Sequence, residues 1–449
     1  MPDAATGQAS GHPKLRAVLD SAASAHVASS RVAGASVAVV QGSDTLLHEG
    51  YGQADLEHGV PMPGDAVFEI GSITKQFTAA AVLQLAAKDS LGLDAPIIRY
   101  LPSFDMGGHT ITVRHLLHHT SGIPDWSSFP EAETLRPQDL PRDTVLALLE
   151  DKMMRFAPGT AMSYSNSGYF LLGRIIEEAS GQSYAEYVEK HLFQPAGMGN
   201  SYYCNERAVV ENKAHGYAWR GKKGFKHKKY VDHRWPYAAG SLCSTAGDMV
   251  AWTQALHGGD VLPDSMYREM TTPGRLDDGT ELRYGMGLVV SDVSGRRVMR
   301  HGGEIFGFLS EARYYPRENL TLVVLQNTAG PKGPLFLADQ LADLTLGPGE
   351  EPKTRPYEGN LSTFTGRYSG PARGGLMTLQ VKVADGKLVV TEAAGGAGPM
   401  PLEHTTRRTW RRGSLRYRFV QVGGEIIELR VDGGGAHYVL RKIGVSENQ

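Results

Sequence analysis

The order of apolar and polar positions divides the chain into stretches of different texture. A segment around Pro13 to Val27 reads as a helix. Two short runs follow it, Ser36 to Val40 and Thr45 to Gly50, flanking the turn Gly42-Ser43-Asp44 as in a hairpin. From residue 72 to about 257 the signals are mostly helical. Phe77 to Ala87 is almost wholly apolar, which predicts a buried helix. Thr112 is placed to cap "VRHLLHH" before the stop at Gly122, and Ser167 to cap "GYFLLGRIIEEAS" before Gly181. Ser183 with Glu186 forms a capping box opening "YAEYVEKHLF", and Thr245 opens "AGDMVAWTQAL". Strand patterns then return at Met286–Val290, Arg297–His301, Phe308–Tyr315 and Leu320–Gln326. Strands at both ends with helices between predict an α+β fold, with one antiparallel sheet completed by both ends and packed on a helical region.

The string "LGPGEEPKTRPYEGN", residues 346 to 360, reads as a linker. Beyond it, short alternating strands separated by turns at Ala384-Asp385-Gly386, Gly423-Gly424 and Asp432-Gly433-Gly434-Gly435 predict a small all-β antiparallel barrel or sandwich. The expected division is a first domain over 1–346, a linker over 347–357 and a second domain over 358–449.

Composition narrows the classes. A chain of 449 residues is too long for one typical core. Its 41% hydrophobic and 21% charged residues are those of a globular protein, and a net charge of -2 gives no global reason to expect nucleic acid or membrane as partner. Two basic runs, "GKKGFKHKKY" at 221 to 230 and "RRTWRRGSLRYR" at 407 to 418, read as a solvated loop and a basic strand face. A nucleic-acid-binding protein that stacks bases on their aromatics is the remote alternative. One bridge between Cys204 and Cys243 is conceivable, but two unpaired thiols of a reducing compartment is the simpler reading. With no signal peptide at the N-terminus as given and no apolar stretch of membrane-spanning length, the expected location is cytoplasmic, a secreted form with its leader removed being the alternative.

Candidate chemistry begins at "FEIGSITKQFTAA". Ser72 and Lys75 stand three apart and so share one helix face. A lysine buried there loses its proton readily, and beside a serine hydroxyl it is a general base next to a nucleophile. Tyr164-Ser165-Asn166 offers a tyrosine whose pKa a cationic lysine would lower, fit to relay a proton, and an asparagine able to grip a substrate amide. His301-Gly302-Gly303 ends a strand, and its glycines permit close approach of an extended substrate. Asp125 and Trp126 are placed to wall a pocket. His115, His118 and His119 share one helix, with zinc-pair spacing at 115 and 119 but no glutamate between them.

Together, Ser-x-x-Lys, Tyr-x-Asn and His-x-Gly in this order resemble the serine β-lactamase and penicillin-binding-protein superfamily. The nearest resemblance is to class C β-lactamase-like enzymes: D-alanyl-D-alanine carboxypeptidases, D-aminopeptidases and related esterases. The stretches "LLHHTSGIPDW", "RFAPGTAMSYSNSGYFLLGRIIEEASGQSY", "AAGSLCSTAGDMVAW", "YGMGLVV" and "HGGEIFGF" extend the likeness over roughly residues 15 to 330. The tail is similar to the lipocalin-like barrel that some of these enzymes carry. The resemblance implies Ser72 as acylated nucleophile, Lys75 as its base and Tyr164 as proton shuttle, with His301 where many relatives carry a lysine. Backbone N–H groups of Ser72 and Glu304 would form the oxyanion hole. Asn166, Gly303, Glu304 and Trp126 would contact a small peptide, amide or ester substrate. No metal or organic cofactor is implied, and a homo-oligomer is compatible with the family. Gly302 lacks the hydroxyl that relatives use to hold a substrate carboxylate, and Glu304 would repel one. Amidase or esterase action of the D-aminopeptidase kind is therefore expected over carboxypeptidase or β-lactamase action.

Overall fold

The structure is a computed structural model that describes residues 12–104, 106–138, 140–149, 152–350, 353–393, 398–433 and 435–444. The N-terminal residues 1–11, Gly434 of the third expected barrel turn, and residues 445–449 lie outside the described residues.

The first and last parts of the region before the linker share one seven-stranded antiparallel sheet. Its order is Val289–Val293, Arg296–Ile305, Phe308–Tyr315, Leu320–Gln326, Gly34–Gln41, Asp44–Asp55 and Val60–Pro61. The closing seam runs from Ala35 opposite Gln326 to Gln41 opposite Leu320. Both of these strands are buried along nearly their whole length, since helices cover both faces. On one face Leu19 and Ala23 of the helix Pro13–Ser29 meet Leu337 and Leu341 of the helix Pro334–Leu346. The other face carries the main core, around Phe77, Trp252, Phe170 and Tyr184.

The helix Thr74–Ala87 runs through that core, which is why its sequence shows no polar face. Thr112, Ser183 and Thr245 cap their helices as expected. The cap of the helix Asn166–Ser180 is Ser165 rather than Ser167. Ser167 lies inside the helix, donating to the Pro124 carbonyl at 2.7 Å and accepting from the Trp126 N–H at 2.9 Å. The strand expected at Met286 begins at Val289, because the Met286 N–H is taken by the Met270 carbonyl at 2.9 Å.

Cys204 and Cys243 form a disulfide, which corrects the reading of two free thiols. They lie 39 residues apart in sequence, and a small sheet joins them. In it Leu242–Ser244 pairs with Tyr202–Tyr203 on one side and Phe68–Glu69 on the other.

The C-terminal region is a nearly closed antiparallel barrel of nine strands between Gly366 and Ile443. Its own aromatic core contains Phe364, Tyr368, Trp410, Tyr417 and Phe419. Trp410 and Tyr417, the aromatics of the second basic run, are buried there and offer no ring to a nucleic-acid base. The barrel docks by strand addition, its strand Ala436–Ile443 pairing with Met162–Ser163 directly before Tyr164. Arg430 adds an ion pair to Asp278, and Arg283 donates to the Ser414 carbonyl. No helix among the described residues is long and apolar enough to cross a membrane.

Candidate active site

Ser72 lies in the short turn Gly71–Ile73 that leads without a break into the helix Thr74–Ala87. Gly71 has φ +53°, and a Cβ on it would stand 2.9 Å from the backbone nitrogen of Glu304. A Cβ on Gly303 would meet the Ile70 carbonyl oxygen at 2.0 Å, and Ser310 donates to that same oxygen at 2.8 Å. The backbone that crowds Gly303 is thus that of the turn carrying Ser72, whereas a Cβ on Gly302 would meet Glu311 Oε2 at 3.0 Å. This clamp seats Glu304 beside the residue preceding Ser72. The strand Val289–Val293 pairs only as far as Arg300, so it leaves the outer edge from His301 onward to the site.

Lys75 is fully buried. Its Nζ lies 3.1 Å from Ser72 Oγ, 2.9 Å from Asn166 Oδ1 and 2.7 Å from the Ala239 carbonyl oxygen. Burial pushes its pKa well below the ordinary lysine value, and the nearby Arg373 guanidinium lowers it further, against a smaller opposing pull from Asp125. Once Lys75 is neutral, its two N–H groups serve Asn166 and Ala239, and its lone pair accepts the Ser72 hydroxyl. Asn166 therefore spends its carbonyl on the lysine, while its amide donates to Ser127 Oγ at 3.1 Å.

The Tyr164 ring lies 4.7 Å from Lys75 Nζ, measured to its centroid. Its hydroxyl is buried without a partner in hydrogen-bond geometry, although Ser72 is near enough to draw its pKa down. Burial outweighs that pull and raises the pKa above the ordinary tyrosine value. The expected lowering by a cationic lysine does not hold, because burial is the largest influence on Tyr164 and the same burial pushes the pKa of the neighbouring lysine down. Tyr164 is a neutral hydroxyl, a proton donor.

His301 is buried, and burial depresses its pKa to about 3. It pairs with the Tyr284 hydroxyl through Nε2 at 3.1 Å. It stands where relatives carry a lysine but supplies no cation at neutral pH. Nearby histidines that suggested zinc do separate jobs. His115 Nδ1 accepts the Thr112 N–H at 3.2 Å, His118 Nδ1 donates to the Gly285 carbonyl at 3.0 Å, and His119 Nδ1 accepts the Ser165 N–H at 3.1 Å. His119 also packs its ring 4.4 Å from that of Tyr164.

These groups open on a cleft of about 580 Å³ lined by Ser72, Trp126, Asn166, Glu304, Phe306 and Arg373, among others. Trp126 and Glu304 both reach it, as the sequence suggested. Gly303 contributes by holding the strand against the turn. Arg373 is the residue the sequence missed. It comes from the barrel turn after the strand Gly366–Ala372, donates from Nε to Asp125 Oδ2 at 2.9 Å, and lies 5.2 Å from the Tyr164 ring centroid. Nothing in the local sequence marks it, since only the docking of the barrel carries it to the site.

Arg373→Met is expected to move the acid limb of kcat/KM to higher pH. Loss of the guanidinium removes a repulsion from protonated Lys75 and frees the Asp125 carboxylate to stabilise that ammonium, so a higher pH is needed to obtain the free base. A kcat/KM profile from pH 5 to 10 checks this, and an unmoved limb would show that Arg373 does not act on Lys75.

A serine whose hydroxyl meets a buried lysine of depressed pKa, with a neutral tyrosine beside it and a strand edge across the cleft, is the arrangement of a serine hydrolase. Residues 19–346 match the family model described as Beta-lactamase, and the chain belongs to that family. It is 30% identical over 296 residues to a D-aminopeptidase of Gluconobacter oxydans, an alignment that takes in 66% of this chain but only 55% of that relative. The chain thus spans little more than half that protein's length. A D-stereospecific amidohydrolase from Streptomyces sp. superposes with TM-score 0.64 at 27% identity, over 74% of this chain and 99% of the other. The octameric penicillin-binding protein homologue from Pyrococcus abyssi superposes with TM-score 0.65 at 25% identity, over 96% of this chain and 100% of the other.

Proposed function

We propose that this enzyme hydrolyses the amide bond that follows an amino-terminal D-amino acid, and related esters, through an acyl-enzyme on Ser72. Lys75 takes the Ser72 proton as the oxygen attacks the carbonyl carbon, and the N–H groups of Ser72 and Glu304 stabilise the oxyanion. Tyr164 gives its proton to the leaving nitrogen as the C–N bond breaks, and recovers one from Lys75. Water then attacks the ester carbonyl, losing its proton to Lys75, and as the bond from the acyl carbon to Ser72 Oγ breaks Lys75 returns that proton to the serine oxygen.

The observation that carries the substrate class is the strand His301–Glu304. His301 is neutral and Gly302 has no hydroxyl, so this strand presents nothing to hold a carboxylate next to the scissile bond. Glu304, exposed on the cleft, favours an ammonium there. The names of the aminopeptidase and amidohydrolase relatives support the same reading. Carboxypeptidase or β-lactamase action is the second reading.

The separate aromatic core of the barrel supports the division into 1–346, a linker over 347–357 and 358–449. The octameric homologue supports a homo-oligomer. The buried disulfide favours an oxidising compartment over the expected cytoplasmic one.

The test compares kcat/KM for a D-amino acid amide, a p-nitrophenyl ester and an N-acylated D-alanyl-D-alanine. Intact mass spectrometry of the acyl adduct accompanies it. The D-amino acid amide is expected to exceed the acylated dipeptide by about tenfold or more, the scale of misplacing one charge. An acylated dipeptide as best substrate would overturn the specificity and leave the serine mechanism standing.

A further inference from the structure

The basic stretch 221 to 230, without a role in the sequence, forms part of the cleft wall. Tyr217–Trp219 and Phe225–His227 pair as a hairpin whose tip carries Arg220, Lys222 and Lys223. Arg220, Lys228 and Lys229 line the same cleft as Ser72, together with Arg136 and Arg373. Three of these five cations are matched by carboxylates. Lys228 pairs with Glu69 and Glu206, Lys229 with Glu133, and Arg373 with Asp125.

Arg136 and Arg220 have no ion pair of their own among the described residues, although Glu133 and Asp125 lie near enough to Arg136 to act on its charge. Arg136 lies with its guanidinium carbon 5.5 Å from the Phe306 ring centroid and 5.9 Å from that of Trp126. Its Nε donates to the Ala132 carbonyl at 3.0 Å, and among the described residues no acceptor lies within hydrogen-bond distance of its terminal nitrogens. A half-buried guanidinium fixed against two rings, with its fork unfilled, is preorganised for a planar anion, most simply a carboxylate. Glu304 stands two residues before Phe306 on the same strand and turn, so their Cα atoms are at most about 7 Å apart.

We infer that the cleft holds a carboxylate subsite centred on Arg136 and reinforced by Arg220, and that the substrate is a short peptide carrying charge at both ends. Its amino-terminal ammonium meets Glu304, and the carboxylate of a second or third residue meets Arg136. The separation of opposite charges then measures peptide length. This subsite lies beyond the scissile bond, so it does not restore the carboxylate holder missing at His301–Gly302. It rests on the amidase reading given above and adds what lies on the leaving-group side.

The experiment uses D-alanylglycine and D-alanylglycylglycine, each as free acid and as carboxy-terminal amide, with D-alaninamide alongside. For whichever length is cleaved better, the free acid is expected to exceed its amide by about tenfold in kcat/KM, mainly through KM, as a charge-assisted hydrogen bond provides. The advantage should shrink as sodium chloride is added. Arg136→Met should bring the acid-to-amide ratio close to one whatever the absolute rate, and Arg220→Gln should lower it in part. Equal rates on acid and amide with D-alaninamide still cleaved, or a ratio unchanged in Arg136→Met, would overturn the subsite alone. Failure to cleave D-alaninamide and every peptide would overturn the amidase reading and the subsite with it.

Discussion

Ser72→Ala is expected to abolish covalent labelling by a fluorophosphonate and to lower kcat by about 10⁴-fold or more, the scale seen when a catalytic nucleophile is removed. The size of the effect follows from how little else in the cleft can replace the serine. Lys75 is buried behind it and spends two contacts on Asn166 and Ala239, so its nitrogen cannot advance to the substrate carbonyl. The fold should survive, because the turn is held by Gly71, Gly303 and Ser310 through backbone contacts that do not involve the Ser72 hydroxyl. Intact mass after labelling and the circular dichroism spectrum together check both halves. Undiminished labelling of the folded variant would place the nucleophile elsewhere.

The second large effect separates Lys75 from Tyr164. Lys75→Met keeps most of the volume but removes the only base within reach of the Ser72 hydroxyl among the described residues. It should slow amides and activated esters alike, by about 10²- to 10⁴-fold. Tyr164→Phe removes a donor, so its cost depends on whether the leaving group needs a proton. An amide should slow by about 10²-fold or more, while a p-nitrophenyl ester, whose phenolate leaves unaided, should slow far less. The contrast between the two substrates is the readout. Equal losses in Tyr164→Phe would assign the tyrosine to positioning, and nearly full kcat on an amide would remove it from the proton path.

Much of this was legible in the sequence because the signals were local. Ser72 and Lys75 are one helical turn apart, and the caps at Thr112, Ser183 and Thr245 are set by side chains three residues from the groups they satisfy. The sheet was readable from both its halves, since Phe308–Tyr315 and Leu320–Gln326 form the strands their patterns predict. What failed depended on contacts between distant parts. The Cys204–Cys243 bond is made by register in a small sheet, the buried state of Tyr164 by the helices around it, and the placement of Arg373 by the docking of the C-terminal barrel. The Tyr164 difference has a specific cause: complete burial raises the tyrosine pKa and lowers that of the lysine whose charge would have opposed it. Ser165 displaced Ser167 as cap because Ser167 had a better use, bridging Pro124 and Trp126.

The seam between Gly34–Gln41 and Leu320–Gln326 also constrains how the molecule is made. Strands that pair across nearly 300 residues cannot meet until the later one has left the ribosome, and closing so long a loop is entropically slow. The apolar helix Thr74–Ala87 must wait through that interval with its core incomplete, which exposes it to aggregation and makes it a natural client for chaperones. Arg373 and the strand that docks before Tyr164 emerge later still. Ser72 is therefore translated about 300 residues before Arg373 (the barrel residue that completes its surroundings), so a chain that stops short of the barrel carries Ser72 in an unfinished site.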